Sequence, residues 1–182
     1  MVELIIESIR TSLKSHERVV VLQEKAAERY LPIWIGAAEA NAIAAKLQGI
    51  STARPMTHDL LCSVIDALGA AISFVSLDEL KGDIFYAKIV INAQGKQAEI
   101  DSRPSDALAV AATARVPIFV EETILDRAGI LLNKQTGEPV PPGEAPERAK
   151  EEGPSEEQLR RMSAFRDFID KLNLDDLDKH KS

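Results

Sequence analysis

The chain has 182 residues, 45% of them apolar and only 4% aromatic, with 29 acidic against 22 basic side chains and a net charge of −7. That length holds one domain with an appendage, and the acidic balance works against nonspecific wrapping of nucleic acid, which needs basic side chains to displace counterions. One cysteine, Cys62, excludes an internal disulfide; no apolar run reaches membrane length and Val2-Glu3-Leu4-Ile5-Ile6-Glu7 is no signal peptide, so a soluble, cytoplasmic protein is expected.

Residues 2–13 read as a strand. Val19-Val20-Val21-Leu22 is the unbroken apolar run of a buried strand. Residues 29–35 alternate as a third strand, where Pro32 marks an edge or a bulge. Ala-rich residues 37–47 read as a helix stopped by Gly49. Leu60, Leu61, Val64, Ile65 and Leu68 recur at helical spacing, and Gly69 closes that second helix. Strands are expected at 71–77, 84–92 and 97–101, with turns at 81–83 and 93–96. An Ala-rich helix at 107–114, a strand at 116–120 and a helical turn at 123–128 follow.

Three strands and an Ala-rich helix thus occur twice. A shift of 65 lays Ile35 on Ile100 and Asn41 on Asp106, and an internal duplication is expected. The fold class is α+β: two mixed strand–helix units with a C-terminal helical appendage. The domain spans 1–132. Residues 133–154, with Pro139, Pro141, Pro142 and Pro146, read as a linker. Residues 155–182 begin with a capping box, Ser155 and Gln158. Their apolar stripe, Leu159, Met162, Phe165, Phe168, Ile169 and Leu172, predicts docking on the domain or on another subunit.

The chemistry concentrates in two segments, Arg54-Pro55-Met56-Thr57-His58-Asp59 and Asp101-Ser102-Arg103-Pro104-Ser105-Asp106. Each sets Arg-Pro ahead of a helical pattern and an Asp in its first turn. Structural uses exist for each group. Thr57 is placed to cap its helix, with Asp59 favoured by the helix dipole. Pro104 suits a first turn, with Asp101 or Ser102 as cap. An Arg–Asp lock between the segments is the main bland reading. The functional reading needs the segments to meet. Asp59, Asp101 and Asp106, joined by Glu39, would hold a divalent metal such as Mg²⁺ or Mn²⁺. His58 would move a proton. Arg54 and Arg103, with Thr57 and Ser105, would bind the substrate phosphate. Trp34 reads as core or interface rather than a base-stacking platform, and Cys62 as packed rather than reactive. There is no phosphate-cradling Gly-rich loop, HExxH or nucleophile elbow.

Three segments together, Leu31-Pro32-Ile33-Trp34-Ile35-Gly36 with Glu39, Arg54-Pro55-Met56-Thr57-His58-Asp59-Leu60, and Asp101-Ser102-Arg103-Pro104-Ser105-Asp106-Ala107, resemble the bifunctional nuclease family over residues 1–120. The end of the chain, Lys171 to Leu177, is similar to the tail of bacterial members. Some members instead carry a UvrB/UvrC-type motif there. The resemblance implies an α+β fold, self-association into a homo-oligomer, and cleavage of both DNA and RNA. The expected function is therefore a metal-assisted nuclease with nucleic acid as a local partner. In this assignment His58, Asp59, Asp101 and Asp106 are catalytic. Arg54, Arg103, Thr57 and Ser105 bind substrate, and Glu39, Asp59, Asp101 and Asp106 hold the metal. The alternatives are a non-catalytic oligomeric module whose motifs are structural locks, with the C-terminal helix as interface, and a small-molecule or nucleotide sensor.

Overall fold

The computed structural model describes residues 1–11, 18–132 and 139–140. The chain enters a three-stranded antiparallel meander, β1 (Val2–Thr11), β2 (Arg18–Glu24) and β3 (Arg29–Ile35), then α1 (Ala37–Leu47) and α2 (Thr57–Ala67). A second antiparallel meander follows, β4 (Ala70–Lys81), β5 (Ile84–Ala93) and β6 (Lys96–Ser102), then α3 (Pro104–Ala114). Short β7 (Ile118–Val120), α4 (Glu122–Ala128), β8 (Ile130–Leu132) and β9 (Pro139–Val140) complete the described chain. All strands form one sheet in the order β6-β5-β4-β7-β1-β2-β3-β8-β9.

Strand β7 joins the two meanders, pairing parallel with β4 and antiparallel with β1. Both meanders keep the same internal order, and the helix that follows each, α1 or α3, carries an acid at its third position, Glu39 or Asp106.

The interior strand β2 buries Val19, Val20, Val21 and Leu22, the pattern of a strand covered on both faces. Val20 and Leu22 join Leu31, Ile43, Val75, Leu77, Leu108, Val110 and Leu125 in the main core, and Val19 and Val21 are buried on the other face. Leu, Val, Ile and Ala supply that core, as the scarcity of aromatics requires. Helix α3 lies across β4 and β5, and α1 and α2 both pack on it. On β3, β8 reaches only Arg29 and Tyr30, which leaves Pro32 beside no ladder on that side among the described residues.

Two helix ends follow glycines. After α1, Gly49 takes φ +68, and the Ile50 N–H reaches the Ala45 carbonyl at 2.8 Å, closing a Schellman motif. Gly69, at φ +74, ends α2 in the same left-handed conformation. Three elements differ from the sequence reading. Helix α2 begins at Thr57 with Met56 as N-cap, so Thr57 is not the cap. Helix α3 begins at Pro104 with Arg103 as N-cap, so neither Asp101 nor Ser102 caps it. The segment expected to be a linker contributes β9, which pairs with β8. The expected C-terminal helix, with Ser155 and its apolar stripe, lies outside the described residues.

Candidate functional site

The site forms where the two strand-to-helix junctions meet. β3 delivers Ile33, Trp34 and Ile35 to Gly36 and Glu39. β6 delivers Asp101 and Ser102 to Arg103, Pro104 and Ser105. These residues, with Asp83 and the start of β5, line one cleft of about 560 Å³, within the usual size of ligand sites. Pro104 at the first helical position fixes the approach of α3, since its missing N–H is one the helix cannot satisfy internally.

Each of α1, α2 and α3 carries its acid at the third position of the first turn: Glu39, Asp59 and Asp106. Their settings differ. Asp106 accepts a bidentate pair from Arg103, Nε to Oδ2 at 2.7 Å and Nη2 to Oδ1 at 3.0 Å. Arg103 Nη2 also donates to Glu39 Oε1 at 3.4 Å, tying α3 to α1. His58 Nε2 stands 3.9 Å from Asp106 Oδ1, which brings the α2 segment to the same carboxylate. The result is a file of alternating groups, Glu39, Arg103, Asp106 and His58. The Arg103 side chain is 68% exposed, whereas that of His58 is only 14% exposed. Asp106, and after it Glu39, pushes the Arg103 guanidinium further above its already high value.

Asp59 serves its own helix. It accepts the Met56 N–H at 3.0 Å and pairs with Lys46 of α1 at 2.5 Å. Chiefly the Lys46 hydrogen bond, then the Met56 N–H, holds its carboxyl below the usual range. Asp101 is exposed and lines the cleft, with no ion pair among the described residues. Ser105 is buried and lines it too. Arg54 and Thr57 are exposed and do not line it.

The structure thus unites Glu39, His58, Arg103 and Asp106 by contact; Glu39 and Arg103 line the cleft together with Asp101 and Ser105, whereas His58, Asp59 and Asp106 do not. The two segments do meet, through His58 and Asp106. The expected Arg–Asp lock between them is absent, because Arg103 pairs with the Asp of its own segment three residues on. Nor do Glu39, Asp59, Asp101 and Asp106 converge as one ligand set. Among the described residues no group of three or more His, Cys, Asp or Glu side chains is disposed to hold a metal ion. Arg103 occupies Glu39 and Asp106, and Lys46 occupies Asp59. A ready-made four-carboxylate metal cage does not fit this arrangement.

A Cβ at Gly36 would meet only the end of the Glu39 side chain, which folds back over the start of α1 and could swing aside. The sequence reading missed Tyr86, Phe85 and Asp83 as cleft residues. They sit on a plain strand and its turn, where no motif flags them. Trp34 is 40% exposed at the cleft rather than core. Cys62 is half-buried, and burial first, then the charge of Asp59, raises its thiol pKa.

A profile of the bifunctional nuclease domain matches residues 20–133. An uncharacterized protein of Mycobacterium tuberculosis is 35% identical over 176 residues, covering 97% of this chain and 98% of that protein. Bifunctional nuclease 1 of Oryza sativa subsp. japonica is 26% identical over 124 residues, 66% of this chain and 38% of its own length. Bifunctional nuclease 1 of Arabidopsis thaliana is 24% identical over 110 residues, 59% of this chain and 34% of its own. The chain therefore aligns with little more than a third of each plant protein.

Proposed function

The chain belongs to the bifunctional nuclease domain family, and from that premise we propose that it hydrolyses phosphodiester bonds of DNA and RNA. The observation that carries the reading is Arg103. Its guanidinium is wide open to solvent at the edge of a cleft, yet aimed by Asp106 and Glu39. A planar fork that grips a carboxylate can grip a phosphate with the same geometry. A buried lock would leave no room for that exchange. Bound phosphate would take the donors that Asp106 now accepts. Asp106 would then be free to orient His58, 3.9 Å away, as the base that removes a proton from water. Asp101, unpaired at the wall, and the Ser105 hydroxyl are the polar groups nearest an incoming strand. Mg²⁺ or Mn²⁺ is part of the proposal, as an ion delivered with the polynucleotide rather than one held in advance.

The test is cleavage of single- and double-stranded DNA and RNA with Mg²⁺, Mn²⁺ or EDTA. Wild type is compared with Arg103→Ala, Asp106→Asn and His58→Ala purified in parallel. Loss of the proton-transfer group is expected to slow cleavage about 10²- to 10⁴-fold. Undiminished cleavage in all three variants would assign the activity elsewhere.

A second reading is favoured by one observation, the exposed apolar residues Leu60, Leu61 and Val64 of α2 and Leu68 at its C-cap. They suit a homo-oligomeric module whose motifs only order the fold. In that case the folded wild type cleaves nothing under any metal condition.

A further inference from the structure

The cleft beside Arg103 has a wall to which hydrolysis assigns no task. Trp34 and Tyr86 both line it, 40% and 38% exposed, next to Ile84 and Phe85. The chain has one tryptophan and two tyrosines. Its core is otherwise aliphatic, so an indole and a phenol left half in water in one cleft are not explained by core packing. Lys81 Nζ, paired with Glu79 at 2.8 Å, stands 5.1 Å from the centre of the Tyr86 ring, beside the cleft lining rather than in it. Accessible rings bordered by Arg and Lys are the ingredients of stacking sites for single-stranded nucleic acid.

We propose that Trp34 and Tyr86 form a nucleobase subsite that admits only unpaired bases, while Arg103 holds an adjoining phosphate. The proposal rests on the phosphodiester reading of Arg103. Its selectivity follows from size. The rings lie inside a cleft of about 560 Å³, which a base can enter only from a single strand or after leaving its helical stack. A duplex would reach Arg103 from outside and leave the rings unused.

Trp34 is the sole tryptophan, so its fluorescence reports on this wall without a label. The full chain is titrated in EDTA with a single-stranded oligothymidylate, the same strand annealed to its complement, and inorganic phosphate. A saturable change is expected with the single strand alone. Tyr86→Ala, which keeps the reporter, should weaken that binding about 5- to 100-fold. Tyr86→Phe keeps the ring and should bind as wild type. Circular dichroism of both variants separates lost binding from lost folding. If Tyr86→Ala does not fold, the fluorescence arms on the wild type decide alone.

Equal signals from single strand, duplex and phosphate would overturn the subsite. So would wild-type binding by folded Tyr86→Ala. A fluorescence change that follows protein concentration but no ligand would assign the wall to contact between copies, and would overturn the subsite as well. Binding as expected with no cleavage under any metal condition sinks the hydrolytic reading and leaves the base site standing. Cleavage with KM unchanged in Tyr86→Ala and Trp34→Leu does the reverse.

Discussion

Asp59 and Asp106 hold the same place in their helices and do opposite work. Asp59 faces inward, to its own N-cap and to Lys46, with both side chains of the pair about four-fifths covered. Asp106 faces a guanidinium that is mostly in solvent. Asp59→Asn should therefore cost stability: about 1 kcal/mol for the lost pair and weakened cap, or about 2–4 °C in Tm. The pH dependence has a definite sign. The folded Asp59 carboxyl lies below its usual value, so its contribution is complete above the unfolded value near pH ~4 and is lost as pH falls through the lower folded value. The gap between wild type and Asp59→Asn should be constant from pH 7 to about 5 and close in more acid solution. Abolished cleavage in Asp59→Asn with an unchanged melting curve would move Asp59 into the catalytic group instead. Neither role was readable from the first-turn position alone, since the sequence does not say which partner folds against each acid.

Among the elements, α2 best separates what periodicity reveals from what it hides. Leu60, Leu61, Val64, Ile65 and Leu68 located the helix, but only Ile65 is buried, while Leu68 is 76% exposed. Apolar spacing reports that a face exists; burial depends on what lies opposite it. Ile65→Ala should cost about 2–4 kcal/mol in denaturant unfolding, and Leu68→Ala should stay within about 0.5 kcal/mol. Equal costs would mean that α2 sits differently on α3. Helix α4 teaches a related lesson. Its hold on the sheet includes Arg29 of β3, which bonds Glu24 at 2.6 Å, Glu122 at 2.6 Å and Asp126 at 3.3 Å. These partners lie up to 97 residues away, beyond any local pattern. Arg29→Ala would leave the nearly buried Glu24 carboxylate unpaired. A loss of about 2 kcal/mol is expected, measured by the same unfolding curves.

At the scale of the whole molecule, the strands and helices were readable because each meander has its own turns and α1 and α2 each have a glycine stop, whereas α3 ends at Arg115, which takes the left-handed conformation itself. The site was half readable. Of its charged wall, Glu39, Asp101 and Arg103 fall in marked segments, whereas its aromatic wall comes from Trp34 and Tyr86 on separate strands, which only the folded sheet brings to one cleft. Net charge then decides how nucleic acid can bind. With −7 overall, the surface repels a polyanion, so the proposed attachment of nucleic acid would be short, through Arg103 and at most one neighbouring cation. For a single strand the logarithm of affinity falls with the logarithm of salt by about 0.7 per phosphate contact. One or two contacts predict a slope of about −0.7 to −1.4, hence only a ~3- to 7-fold loss between 50 and 200 mM salt. Stacking on Trp34 and Tyr86 would supply the salt-insensitive remainder. Oligothymidylate titrations at several salt concentrations measure the slope directly. A value steeper than about −4 would require a row of cations far longer than this cleft provides, and would place the binding surface outside the junction of the two meanders.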